Sequence, residues 1–196
     1  MRYDFDRKIN RYNTNSLKFD FAVERGKPAD VLPLWVADMD FPTAQPVRDK
    51  LRALADHGIF GYSDVKDEYY QAVAGWFERR FHWRPEAEWL VKTPGVVFAL
   101  AMAVRSLTEP GDAVLVQPPV YYPFYEVIRA NDRRVAESPL VYKDGRYEID
   151  FADFERKIAE NGVKLFILCS PHNPVGRVWT AAELQEIGRI CLKHGV

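Results

Sequence analysis

Only two cysteines, Cys169 and Cys191, occur among the 196 residues. They stand far from any C-x-x-C spacing, and Cys169 lies inside an apolar run, so a disulfide framework is excluded as the organising device and a reducing, cytoplasmic setting is expected. No uninterrupted apolar stretch approaches the roughly 18–20 residues needed to span a membrane. The opening Met-Arg-Tyr-Asp-Phe-Asp-Arg-Lys alternates charges and rings without the apolar segment of a secretory leader, so neither membrane association nor export is expected. Charge of neither sign is in excess: 27 Lys and Arg against 28 Asp and Glu, net −1. The charges are interspersed, which argues against a nucleic-acid partner. His57, His82, His172 and His194 lack the i, i+4 and H-x-x-E-H spacings of metal ligands, so no metal site is expected. Internal repeats and low-complexity tracts are missing as well.

What is present is core-forming material. The chain is 47% hydrophobic, with 14% aromatics, enough for one substantial core around a small-molecule site. Residues 1 to about 32 carry turn formers (Asn10, Asn13, Asn15, Gly26, Pro28) with little periodicity and read as an extended arm. Helical spacing then predicts helices over 45–56, 65–83, 96–107, 124–131 and 151–160, with Pro46 suited to a first turn. Strands are expected at 89–91, 113–117, 134–140 and 164–169, the last fully buried, with a hairpin-type turn at Asp144-Gly145. The alternation implies an α/β fold: a mixed, mainly parallel sheet with helices on both faces.

One stretch stands out: Leu165-Phe-Ile-Leu-Cys-Ser-Pro-His-Asn-Pro-Val-Gly-Arg177. An apolar strand ends in a turn locked by Pro171, Pro174 and Gly176, and Thr180-Ala-Ala-Glu183 then opens a helix as a capping box. Ligands of open α/β sheets sit just beyond such strand ends. Asn173, between two prolines, either presents its amide to a ligand or closes an Asx-turn. Pro94-Gly95-Val96-Val97 puts a glycine directly before a helix, whose first N–H groups suit a phosphate or merely begin a helix. Tyr121, among Pro118, Pro119 and Pro123, is a rigid aromatic platform or ordinary surface packing. Asp38 and Asp40 could cap the helix that follows them. His172, in a loop, is expected to be solvated. A Cys169–Ser170–His172 nucleophile is disfavoured, because neighbours in an extended segment point to opposite faces.

These segments together resemble a known family. The S-P-H-N-P-x-G-R string is similar to the asparagine loop of the class I/II aminotransferase superfamily, the fold-type I pyridoxal-phosphate (PLP) enzymes. Thr93-Pro-Gly-Val-Val97 resembles its phosphate turn, and Gln117-Pro-Pro-Val-Tyr-Tyr-Pro-Phe124 its ring-stacking loop. Pro33-Leu-Trp-Val-Ala-Asp-Met-Asp-Phe-Pro42 resembles the substrate-side segment of the PatB/MalY branch, the cystathionine β-lyases. The resemblance implies PLP as cofactor, held by Gly95, Val96, Val97, Tyr121 and Asn173, with Tyr62 reaching the phosphate of the other subunit in a homodimer. Backbone groups at Val36 and Ala37 are implied to meet the substrate carboxylate.

The implied activity is carbon–sulfur β-cleavage of cystathionine-like amino acids to a thiol, pyruvate and ammonia. A PLP-dependent aminotransferase and a non-catalytic binding or regulatory fragment are the alternatives. The implied layout is an arm and substrate-side segment over 1–44 and the PLP-binding large domain over 45–196. In the family, a further buried strand with an aspartate follows, and after it a serine-rich segment with the lysine that forms the Schiff base. None of Lys92, Lys143, Lys157, Lys164 and Lys193 sits in a matching motif, so the catalytic lysine is expected beyond Val196, the chain being an N-terminal part that is inactive alone.

Overall fold

Ala113-Val114-Leu115-Val116 forms the strand β1 (Ala113–Val116), buried at all four positions. A strand covered on both faces reads as an unbroken apolar run, as central strands of parallel sheets do. In the computed structural model, which describes residues 3–196, β1 lies between two later strands, β2 (Arg134–Glu137) and β3 (Val163–Phe166), both parallel to it. Ala113 pairs with Val163 but Val114 with Leu165, so Lys164 is an extra residue at a bulge, turned to solvent.

The described residues form two compact units, one ending at Tyr69 and one running from Tyr70 to Val196. In the second, β1 sends alternate side chains to two cores. Ala113 and Leu115 meet Phe154, Ile158, Ile187 and Ile190, which belong to helices α5 (Phe151–Asn161) and α6 (Ala181–His194). Val114 and Val116 meet Val104, Phe124, Val127 and Ile128, on α3 (Val96–Leu107) and α4 (Pro123–Arg129). The result is the expected α/β arrangement, a parallel sheet with helices on both faces.

Local chemistry sets the ends. Asp150 caps α5 by accepting from the Asp153 N–H at 3.0 Å, and Thr180 and Glu183 form the expected capping box on α6. Asp144 (φ 49°) and Gly145 (φ 79°) make the two-residue turn between Val141–Lys143 and Arg146–Glu148, an antiparallel hairpin.

The strand expected at Trp89–Val91 is instead a one-turn 3₁₀ helix, Ala87–Trp89, followed by irregular chain. Three apolar residues make a strand only where a neighbouring strand takes up their N–H and C=O groups, and none does among the described residues. The strand expected at 164–169 stops at Phe166, and is partly rather than fully covered: Leu165 and Phe166 are half-buried and Leu168 is exposed.

The first unit is held differently. The Asp20 carboxylate accepts from the amides of Asn13, Thr14 and Ser16 at 2.9–3.0 Å. Arg11 pairs with Asp38 and Asp40, and Lys18, 5% exposed, reaches Asp40 at 3.0 Å. The helices α1 (Gln45–His57) and the start of α2 (Asp67–Phe81) follow. Pro46 sits in the first turn of α1, Gly58 ends it at φ 72°, and none of its residues is buried.

Candidate functional site

β1 and β3 point the same way and open into the two loops singled out by the sequence, 117–122 and 167–178. In the first, Pro118 and Pro119 have no N–H to offer, and Pro123 starts α4. Tyr121 is half-buried, its ring edge-on to Phe124 at 5.8 Å, whereas Tyr122 is exposed. The ring held in a fixed plane is therefore that of Tyr121.

The second loop closes on itself through its backbone. The His172 N–H donates to the Arg177 carbonyl at 2.7 Å, and the Gly176 N–H to the His172 carbonyl at 2.6 Å. Gly176 sits at φ 73°, a left-handed conformation that favours glycine. The Asn173 backbone N–H goes to the Cys169 sulfur at 3.3 Å, and among the described residues no hydrogen bond engages its exposed side chain. Asn173 is thus not spent on an Asx-turn.

His172 is not solvated as expected but 1% exposed. Its antiparallel bridge with Arg177 turns the ring inward. There the imidazole stands edge-on to Trp179 at 5.5 Å, and Nε2 lies 3.1 Å from the Pro119 carbonyl. A carbonyl only accepts, so Nε2 carries a proton towards it; burial lowers the pKa of the ring, against the hydrogen bond to Pro119, which raises it. Nothing in composition or spacing signals this, because the burial arises from the loop's own closure. No hydrogen bond joins the ring to the Cys169 thiol, which lies 3.5 Å from the Pro171 carbonyl and takes the Asn173 N–H.

At the start of α3, Gly95 is extended (φ 169°, ψ 165°), and no side chain caps the helix. Val96 is 76% exposed and Val97 39%; neither has a side-chain donor, so the turn offers backbone N–H groups alone. A Cβ on Gly95 would meet nothing within 4 Å. Neither backbone strain nor crowding among the described residues calls for glycine here, and the space in front of the turn is open. This fits a phosphate.

The remaining residues belong to the first unit. Tyr62 is fully exposed between Gly61 and Ser63. Val36 is half-buried, and Ala37 is exposed and lines a cavity of about 580 Å³ with Phe5, Met39 and Phe41. Asp38 and Asp40 do not cap α1, whose N-cap is Ala44; both are committed to Arg11. Among the described residues, no group of three His, Cys, Asp or Glu is placed to hold a metal ion.

Residues 29–196 match the family model described as aminotransferase class I and II. The chain belongs to the class I and II aminotransferase family. Within that family it is 47% identical over 193 residues to cystathionine β-lyase PatB of Bacillus subtilis, covering 98% of this chain and 50% of PatB. It is 34% identical to protein MalY of Escherichia coli, covering 99% of this chain and 50% of MalY. Cystalysin from Treponema denticola, whose crystal structure contains pyridoxal 5′-phosphate, superposes with a TM-score of 0.90 at 41% identity, over 100% of this chain and 50% of cystalysin. The chain thus spans half the length of each of these three relatives.

Proposed function

We propose that this chain supplies the cofactor-holding half of a PLP-dependent carbon–sulfur β-lyase acting on cystathionine-like amino acids. The observation that carries the proposal is the set of three unspent groups in the second unit: the uncapped N-terminus at Gly95-Val96-Val97, the anchored ring of Tyr121, and the free amide of Asn173. Their donor chemistry fits a phosphate, a flat ring and a phenolate oxygen in turn. The 47% identity to a cystathionine β-lyase favours the lyase reading over amino-group transfer.

In this reading the backbone N–H groups of Val96 and Val97 bind phosphate with the helix dipole behind them. Tyr121 keeps the ring in plane, and Asn173 donates to the ring oxygen. Val36 and Ala37 offer backbone groups to the substrate carboxylate, and Tyr62, fully exposed, reaches the phosphate site of a second copy in a homodimer. When bound, PLP supplies an electron sink for charge left at the substrate α-carbon. The lysine that holds the cofactor covalently is assigned to sequence beyond Val196, and the setting to the cytoplasm.

The test is equilibrium titration with PLP, followed by borohydride reduction and intact mass. Saturable binding that is lost in Gly95→Val and weakened in Asn173→Ala, with no stoichiometric reduced adduct, is the expected result. A stoichiometric adduct on one lysine would overturn the assignment of that lysine, and binding unaltered by both substitutions would overturn the site. In a polypeptide that carries the remaining sequence as well, pyruvate release from cystathionine is expected; stable amino transfer to a keto acid would favour the aminotransferase instead.

A further inference from the structure

The loop that carries Tyr121 is tied to α4 on one side, where the Phe124 N–H donates to the Tyr121 carbonyl at 3.1 Å, but its proline pair has no donor. Pro118 and Pro119 donate no hydrogen bond, so this part of the loop is fastened only through its carbonyls, by donors from elsewhere. Two are on hand. The Leu140 N–H takes the Pro118 carbonyl at 2.8 Å, continuing the run of β2, and His172 Nε2 takes the Pro119 carbonyl at 3.1 Å. The second of these is a side chain, and it belongs to the residue directly before Asn173.

His172 is itself anchored on the opposite side. Its ring packs edge-on against Trp179, whose indole N–H donates to the Cys169 carbonyl at 2.8 Å, three residues beyond the end of β3. The Arg177 guanidinium lies 4.7 Å over the Trp179 ring and pairs with Glu183. Glu183 in turn accepts from the Thr180 N–H at 2.7 Å in the α6 capping box. A continuous set of contacts therefore leads from the first turn of α6 through Arg177, Trp179 and His172 to the backbone beside Tyr121.

We propose that His172 is a positioning residue whose imidazole ties the asparagine loop to the Tyr121 loop, so that one buried side chain sets Asn173 and Tyr121 relative to each other. The meaning of this for cofactor binding rests on the function proposed above; the tie between the loops does not.

Two variants separate the hydrogen bond from the bulk of the ring. His172→Phe keeps an aromatic edge for Trp179 but has no donor, while His172→Gln places an amide N–H near the position of Nε2. Deuterium uptake of the 196-residue chain should rise about fivefold in both 118–125 and 169–178 for His172→Phe, the effect of losing one net hydrogen bond. It should return to near the unsubstituted rate in His172→Gln. Titrated with PLP, His172→Phe should bind about fivefold more weakly, with recovery in His172→Gln.

Equal effects of the two variants, or faster exchange confined to 169–178, would overturn the proposal. The ¹⁵N shifts of the imidazole in the unsubstituted chain give a check that needs no variant: a protonated Nε2 and bare Nδ1 are expected, and the opposite tautomer would overturn it. If the unsubstituted chain binds no PLP yet exchange follows the expected pattern, the tie stands and the cofactor reading falls.

Discussion

The two units of this chain are ordered by different chemistry. From Tyr70 onward, a central strand buried at every position divides its side chains between two apolar cores. Up to Tyr69, order comes from carboxylates gathering amides and cations: Asp20 with three backbone N–H groups, and Asp38 and Asp40 with Arg11 and Lys18. An apolar core is indifferent to pH and salt over wide ranges, whereas a scaffold of ion pairs is screened and titrated. The difference teaches that stability and surface chemistry can be tuned separately in the two parts.

The largest effect that would sharpen this contrast comes from Phe154, fully buried on α5. Phe154→Ala should cost about 3–5 kcal/mol in urea unfolding followed by far-UV circular dichroism. Leu51→Ala on α1, where the side chain is 61% exposed, should stay within about 0.5 kcal/mol. Similar losses for the two would break the comparison.

A smaller and more local effect is expected from Asp20→Asn. Hydrogen bonding to the amides, led by that of Asn13, holds the Asp20 pKa below its usual value. An amide carries no charge to gather these donors, so exchange should quicken over residues 13–20 while that of β1 stays unchanged. Faster exchange in β1 would show that the units share one cooperative transition.

The smallest expected effect inverts the rule, since it places a titrating cluster on the apolar unit. Glu155 accepts from Lys193 at 2.7 Å and from His194 at 3.0 Å, and these hydrogen bonds, the Lys193 bond foremost, bring its pKa down to about 2. A carboxyl with a depressed folded pKa contributes stability above its unfolded pKa and loses it as pH falls through the folded value. The α5–α6 contact should therefore weaken from about pH 4.5 towards pH 2. In Glu155→Gln the thermal midpoint should depend less on pH across that window, and an unchanged pH dependence would remove the cluster from the account.

Much of the second unit was legible because its signals are local. Thr180 with Glu183 and Asp144-Gly145 each fix an end or a turn by chemistry carried within a few residues, as Pro46 does in the first unit. Trp89–Val91 was misread because a strand is defined by a partner that no short window contains. His172 was misread for a related reason: its burial depends on the bridge with Arg177 and on Trp179, a contact made only after the loop closes. That Val96 and Val97 offer no side-chain donor was readable from residue type alone. That a Cβ on Gly95 would meet nothing was not, because it depends on what the rest of the chain leaves open.

The order of strands in the sheet carries one last consequence, which concerns synthesis. β1 is made first but lies in the middle, so it waits on the ribosome for neighbours that begin 18 and 47 residues after its last residue, Val116. The face bearing α3 and α4 has most of its material once β2 emerges, whereas the opposite face also needs Trp179, Ile187 and Ile190. The nascent chain thus acquires its two faces in sequence, one apolar side of β1 remaining only partly covered, by α5, until α6 has been made.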